Sequence, residues 1–143
     1  NDVEIHPGLV CDWLYERMGE YDIREGAIDS YRHTLFMKAL DEIGFSAAEK
    51  TVKLVRPSDL MQVQPIINSA FINQKITWGD DPMMRWYVNN TKLVAGPHGN
   101  YSYEKIEPRS RKTDGFMALA AAFTVADRLP ETSDIEILPT LTF

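Results

Sequence analysis

The chain has 143 residues, the usual length of one domain, with 44% hydrophobic and 25% charged residues. This composition excludes an extensively disordered chain, and no apolar run approaches the ~20 residues that are needed to cross a bilayer. The formal net charge of −6 argues against a basic nucleic-acid coat protein, but it does not exclude a metal-dependent nuclease, whose carboxylates hold cations while local basic patches contact DNA.

The opening residues 1–5 predict the end of a strand that the sequence enters partway. Because the sequence also lacks an initial Met, we expect a fragment of a larger protein. It shows no signal-peptide pattern, and its single Cys11 cannot form an internal disulfide. These features predict a protein of the reducing cytosol.

The first half of the chain predicts two parallel strands around a crossover helix. Apolar residues at helical spacing indicate a first helix over residues 7–18. Residues 21–29 predict a strand with Asp29 at its carboxyl end, residues 30–43 predict a second helix, and residues 51–55 predict a second strand. Strand, helix and strand in this order are typical of a parallel pair.

The middle of the chain predicts a long helix, a short helix and a hairpin. The long helix covers residues 58–73, and Pro65 inside it should kink or split it. Pro82 opens the short helix after a turn. Residues 92–95 and 101–106 predict two strands joined by a glycine- and proline-containing turn.

The clearest helical pattern lies near the end of the chain, over residues 114–128. It is apolar on nearly all sides, so we expect this helix to be buried. Residues 130–143 contain two prolines and no clear period, which predicts a C-terminal tail. The organisation expected from these elements is one mixed α/β domain over residues 1–129, followed by the tail.

Two aspartates are candidate metal ligands because of their positions. Asp29 lies at the carboxyl end of a predicted parallel strand, where open α/β sheets place ligand-binding groups. Asp114 lies in the first turn of a helix, where the helix dipole favours a carboxylate. If that helix packs across the sheet, both carboxylates converge on one edge and can bind Mg²⁺ or Mn²⁺, with paired metals acting on a phosphodiester.

A structural role is the alternative for both aspartates. An Asp at the start of a helix is usually an N-cap, and Asp29 and Asp114 each stand close to a helix start. Residue type and position alone favour this capping role over metal binding.

A short basic segment lies just before Asp114. Arg109, Arg111 and Lys112, with Lys105 upstream, are candidates for contact with DNA phosphates beside the metals. A solvated loop is an equally good interpretation of the same charges.

The remaining motifs exclude other chemistries. His33 follows Asp29 by about one helical turn, but a lone His on a helix is more often a surface residue. No Cys/His spacing predicts a zinc site, and no glycine-rich loop predicts nucleotide binding.

Three segments together resemble the large subunits of phage terminases. The sequence AIDSY of residues 27–31, with LDEIGF of residues 40–45, resembles that family's second acidic motif. DPMMRWYVNN of residues 81–90 is similar to the segment before the family's hairpin, and RKTDGFMAL of residues 111–119 is similar to its C-terminal acidic motif. The resemblance extends over residues 10–129.

The resemblance implies an RNase H-like fold, with a mixed sheet flanked by helices and a β-hairpin before the last helix. It also implies a metal-dependent endonuclease that cuts concatemeric viral DNA during packaging. Asp29 and Asp114 match the second and third catalytic acids, which would bind Mg²⁺ or Mn²⁺ in a two-metal site. Lys112 matches a basic residue beside the third acid.

The same resemblance implies partners and a location. The partners would be double-stranded DNA, the terminase small subunit and the portal protein, and no membrane is involved. The protein would be a phage or prophage protein that acts in the cytoplasm of a host bacterium.

The sequence departs from the family pattern at its start. The family's first acid lies on the opening strand of the sheet, upstream of the helix that begins here near His6. Asp2 and Glu4 come too late in the topology to replace it. We therefore expect the first strands to be missing, two of three acids to be present, and the isolated chain to be weakly active or inactive.

Two other functions remain as alternatives. One is another RNase H-like DNA-cutting protein, such as a transposase or a junction resolvase, although the hairpin before Asp114 fits terminases better. The other is a non-catalytic interaction domain, with Asp29 and Asp114 as helix caps and the hairpin as a docking surface.

Overall fold

The computed structural model describes residues 5–31 and 33–129. The predicted opening strand end and the predicted tail over residues 130–143 lie almost entirely outside this part of the chain. Among the described helices, none is long and apolar enough to cross a membrane.

The first helix forms as the sequence predicts. Helix α1 (Pro7–Met18) begins after His6, whose ring Nδ1 accepts the Gly8 N–H at 3.1 Å. The proline at its first position lacks the N–H that a helix start leaves unpaired, so it fits there without loss. Cys11 is the one residue of α1 that is buried.

Two short strands form the predicted parallel pair. Strand β1 (Gly26–Asp29) pairs with β2 (Val52–Val55), and helix α2 (Thr34–Glu42) connects them. The register places Asp29 opposite Val55. The prediction of a strand over residues 21–29 was too long, because pairing starts only at Gly26, whose N–H donates to the Thr51 carbonyl at 2.8 Å.

Helix α3 (Pro57–Ile72) runs without a break through Pro65, so the prediction of a split there was wrong. Proline removes one helical hydrogen bond, but Pro65 lies on the exposed side, where a carbonyl that loses its donor can bond to water. The opposite side carries the buried residues Gln64, Ile67 and Ala70 at a spacing of three.

The short helix and the hairpin also form as predicted. Helix α4 (Pro82–Asn89) is followed by strands β3 (Thr91–Ala95) and β4 (Tyr101–Lys105), which pair in antiparallel fashion. A 3₁₀ turn (Pro97–Gly99) joins the strands, and its Gly99 has a φ of 75°, which favours glycine.

The last helix is shorter and less buried than its sequence predicts. Helix α5 (Asp114–Phe123) has Thr124 in the C-cap position, and a separate 3₁₀ turn (Ala126–Arg128) follows. Ala118 and Ala122 are exposed, so the expected burial on all sides was wrong. Part of α5 borders an open cavity instead of another element.

The core lies where α3, α5 and β4 meet. Ile67, Phe116 and Ala120 form its buried centre, and the Phe116 ring packs edge-on to Tyr103 with centroids 4.7 Å apart. The partly buried hydrophobic residues around this centre are Leu60, Val63, Phe71, Tyr87, Val88, Tyr103, Met117 and Phe123.

Helix α5 is held antiparallel along β1 by contacts at its C-terminal end. The Lys53 ammonium on β2 donates to the Thr124 carbonyl at 3.3 Å. The Arg128 guanidinium donates to the Glu25 carboxylate just before β1. These contacts place the C-terminal end of α5 near the start of β1. The N-terminal end of α5 therefore points toward the end of β1.

Candidate metal and DNA site

Asp29 ends strand β1 with its carboxylate exposed. One oxygen, Oδ1, accepts the backbone N–H of Tyr31 at 2.9 Å. The next helix begins only at Thr34, with His33 in the N-cap position, so Asp29 does not cap a helix.

Asp114 is the first residue inside helix α5, and Thr113 holds the N-cap position. No side-chain capping bond forms at this helix start, and the Asp114 carboxylate has no hydrogen bond or ion pair with any residue that the structure describes. Asp81 shows what a cap looks like in this chain, because its carboxylate accepts the Met83 N–H at 2.8 Å. The capping role that residue type favours is therefore not the geometry observed at Asp29 or Asp114.

Both aspartates line one cavity of about 570 Å³, which we call the α5 cavity. It lies between β1, β2, the start of α3, β4 and one side of α5. The antiparallel packing of α5 on β1 explains the convergence, since it brings the first residue of the helix to the last residue of the strand. Asp29 and Asp114 therefore line the same cavity, and their joint binding of a metal stays a prediction.

The cavity walls are largely apolar, with side chains such as Ile28, Leu60 and Met117 around the two acids. Carboxylate oxygens are the ligands that Mg²⁺ and Mn²⁺ prefer, so Asp29 and Asp114 fit a hard divalent cation as two of its ligands. Within residues 5–31 and 33–129, no group of three or more His, Cys, Asp or Glu residues lies close enough to hold a metal.

Sequence reasoning missed three other polar residues that line the α5 cavity, namely Arg56, Ser102 and Tyr103. Arg56 follows β2 directly, beside the carboxyl end of β1, and Tyr103 enters from the hairpin. The rule that selected Asp29, the carboxyl end of a parallel strand, also applies to Arg56 and would have found it. Burial raises the pKa of the Tyr103 phenol above its ordinary value.

The predicted basic segment lies outside the lining of the α5 cavity. Arg109 and Lys112 are exposed, and Lys105 is partly exposed at the end of β4. Arg111 instead donates to the amide oxygen of Asn90 at 3.1 Å. These four residues remain candidate DNA contacts, and Arg111 also has a structural role.

Asn90 holds the segment that leads into α5. Its side chain is completely buried, and its amide nitrogen donates to the Lys112 carbonyl at 3.0 Å. Its own backbone carbonyl accepts the Ile106 N–H at 2.8 Å, beyond the hairpin. Asn90 therefore fixes the path of the chain on both sides of the basic segment, immediately before Asp114.

His33 does not line the α5 cavity. Its ring Nδ1 lies 2.8 Å from the Ser30 carbonyl, a local contact within the turn between β1 and α2. The structure therefore gives His33 a partner within its own turn.

Comparisons with known proteins give a fold. No family model matches this chain, and no curated protein matches it significantly. Among solved structures, the chain is similar to the HK97 bacteriophage large terminase, with a TM-score of 0.70 and 21% sequence identity. The match covers 85% of this chain and 25% of that one, so the chain spans about a quarter of the length of the terminase.

The chain therefore has a terminase-like fold. The match confirms the predicted fold class, since a mixed α/β arrangement of helices and small sheets is consistent with the RNase H-like fold expected from the sequence. At this level of identity the comparison speaks to fold alone. The role of Asp29 and Asp114 depends on the chemistry of the α5 cavity.

Proposed function

We propose that this chain is part of the metal-dependent nuclease domain of a phage terminase large subunit. The observation that supports this most strongly is the shared cavity of Asp29 and Asp114, whose carboxylates do not cap the neighbouring helices. Oδ1 of Asp29 accepts the Tyr31 N–H, but Oδ2 of Asp29 and both oxygens of Asp114 have no bond to a described residue, so each carboxylate retains oxygen atoms for a cation. The terminase-like fold supports the same proposal from a separate direction.

The chemistry follows from the two acids. Asp29 and Asp114 would hold Mg²⁺ or Mn²⁺, which when bound polarises a phosphodiester and lowers the pKa of an attacking water. Asp29 and Asp114 are both exposed, so a cation from solution can reach their carboxylates. A complete two-metal site would take at least one further acid, so we expect the isolated chain to cut DNA weakly.

The proposal also names the biological setting. The substrate would be concatemeric double-stranded viral DNA, and the partners would be the terminase small subunit and the portal protein. The protein would act in the cytoplasm of the bacterial host.

Mn²⁺ titration of the folded chain tests the site. A cation that binds only the folded state raises its free energy of unfolding by about 1.4 kcal/mol for each tenfold rise in free Mn²⁺ above the Kd. We expect thermal unfolding to show this gain in the natural chain, and we expect both Asp29→Asn and Asp114→Asn to remove it. Plasmid cutting under the same conditions measures the nuclease activity itself.

Asp81→Ala is the matched control, because Asp81 is a true helix cap. Its loss should cost roughly 1 kcal/mol with or without Mn²⁺, and the Mn²⁺ gain should remain. If Asp29→Asn and Asp114→Asn behaved like Asp81→Ala, the metal site would be wrong. The interaction-domain alternative would then be the better description.

A further inference from the structure

Arg56 occupies a position in the α5 cavity that is fixed by its backbone. It follows Val55, which pairs with Asp29 and whose carbonyl accepts the Ser30 N–H at 3.1 Å. The Arg56 N–H donates to an Asp59 carboxylate oxygen at 2.7 Å. The residue is therefore held next to the candidate metal ligand Asp29 by bonds that do not involve its side chain.

The guanidinium group of Arg56 is not used by the fold. It is exposed, and it forms no ion pair with a carboxylate within the part of the chain that the structure describes. The nearby Asp59 carboxylate is engaged by the Arg56 backbone and by the Lys53 ammonium, at 3.6 Å. A cation that lines a cavity beside two carboxylates, yet pairs with none of them, is available for an anion from outside.

The chemistry of that anion follows from the shape of the group. A guanidinium offers a planar set of N–H donors that matches the oxygens of a phosphate, and two of its bonds can form together. The basic residues at positions 105–112 lie outside this cavity lining, so among the described residues Arg56 is the cation that lines the cavity together with the two acids.

We infer that Arg56 binds a phosphate of the DNA strand that enters the α5 cavity and so positions that strand against Asp29 and Asp114. This inference rests on the proposed nuclease function, and it names the cavity residue that would contact the substrate. The contact supplies position and charge, while any metal remains bound by the acids.

The test is DNA affinity as a function of salt, with a labelled short duplex and fluorescence anisotropy. Measuring in EDTA removes both metal binding and cutting, so the result does not depend on the metal site. Each phosphate contact contributes roughly 0.9 to the slope of log affinity against log salt. We expect Arg56→Gln to lower this slope by about 0.9, so that a fourfold rise in salt weakens the natural chain about 3.5 times more than the variant.

Two further variants make the result specific. Arg24→Gln makes the same change in net charge at an exposed arginine that pairs with Asp22 and lies outside the α5 cavity lining. We expect Arg24→Gln to keep the natural slope. Arg56→Lys retains the charge and should restore most of the slope, which an effect of altered folding would not do.

The outcomes separate the two proposals. Equal slopes for Arg56→Gln and Arg24→Gln, or no measurable DNA binding by the natural chain, would overturn the role of Arg56. Loss of the Mn²⁺ stabilisation in Arg56→Gln would also overturn it, because the residue would then act through the metal site. Failure of the proposed function shows itself separately, as the absence of any Mn²⁺ gain that depends on Asp29 and Asp114.

Discussion

The chain contains one closely packed region and one open region, and the candidate site lies between them. In the packed region, formed by α3, α4, α5 and the β3–β4 hairpin, Ile67, Phe116 and Ala120 are almost or completely shielded from solvent. The open region, formed by α1, α2, β1 and β2, has buried residues on α1 and β2, namely Cys11, Val52 and Val55, but α2 and β1 carry none and both line a cavity. The second region therefore differs mainly in the open space beside its elements.

The parallel pair shows this difference most clearly. Parallel sheets usually have both faces covered. Here Ala27 and Ile28 line the α5 cavity and also a second cavity of about 410 Å³, which α1 and α2 partly enclose and which we call the α1–α2 cavity. Strand β1 therefore has open space beside it on two sides.

This difference bears directly on the candidate site. Asp114 belongs to the packed region and Asp29 to the open one. Their separation therefore depends on how the two regions contact each other, through α5 on β1 and the Lys53 and Arg128 bonds. Changes inside the packed core should alter stability first, whereas changes at this contact should alter the site first.

Substitution of a buried phenylalanine in each region should give the largest difference in stability between the two regions. Phe116 and Phe45 are both 4% exposed, but Phe45 lines the α1–α2 cavity whereas Phe116 is packed among core side chains. We expect Phe116→Ala to lower the free energy of unfolding by about 3–5 kcal/mol. Phe45→Ala should cost less, because a side chain beside empty space has fewer packing contacts to lose. Urea denaturation of both variants measures the two losses.

Equal losses in the two variants would break the comparison. They would show that the α1–α2 cavity is closed in solution and that both regions pack equally well. Unchanged m-values would confirm that the variants differ in stability rather than in the surface exposed on unfolding.

Two glycines test the same difference on a smaller scale. A Cβ added at Gly115 would lie 2.3 Å from Cδ2 of the Tyr87 ring, whereas one added at Gly26 would have its nearest neighbour, the Thr51 carbonyl oxygen, at 4.0 Å. Gly115→Ala should therefore force Tyr87 to shift and cost about 1–3 kcal/mol. Gly26→Ala should change stability little, since β1 has room for a methyl group.

Thermal unfolding of Gly115→Ala and Gly26→Ala measures the difference between their stability losses. A double variant, Gly115→Ala with Tyr87→Leu, should lose less stability than the sum of its single changes, because the smaller side chain relieves the clash. If the stability losses of the two single changes were simply additive, the added methyl group would not clash with Tyr87.

Much of the fold could be predicted from the sequence because most elements are marked locally. Glycine and proline mark α1 and the turn of the hairpin, and Pro57 marks the end of β2. The failures have a tertiary origin. The apolar sequence of α5 predicted burial all round, but burial depends on what packs against a helix, and one side of α5 faces a cavity.

The candidate site was predictable to a more limited degree. Asp29 and Asp114 could be selected as candidate metal ligands from their positions, since strand ends and helix starts can be predicted from a sequence. Their capping role was wrongly favoured, because the choice of N-cap depends on where the helix starts, and α2 starts five residues after Asp29. Arg56 was overlooked, although the strand-end rule that selected Asp29 applies to it as well.

The hairpin provides the smallest test, through two tyrosines on the same strand. Tyr103 lies between the core and the α5 cavity, and burial raises the pKa of its phenol above the ordinary value near 10. The unfolded chain then releases this proton at a lower pH than the folded chain. The stabilising effect is therefore complete below the unfolded pKa and is lost as pH rises through the folded pKa. Tyr103→Phe should make the alkaline loss of stability less steep.

Tyr101 is the matched control, because it is exposed on the same strand. Tyr101→Phe should leave the alkaline decline as steep as in the natural chain, and neither variant should lose much stability at neutral pH, since the Tyr103 hydroxyl is 3.5 Å from its acceptor, the Gln64 carbonyl. Unfolding free energies measured from pH 8 to pH 11 make the comparison, in roughly the range where a phenol titrates. An equal effect of the two substitutions would mean that Tyr103 is as accessible to water as Tyr101. The hairpin side of the α5 cavity would then be as loosely packed as the open region.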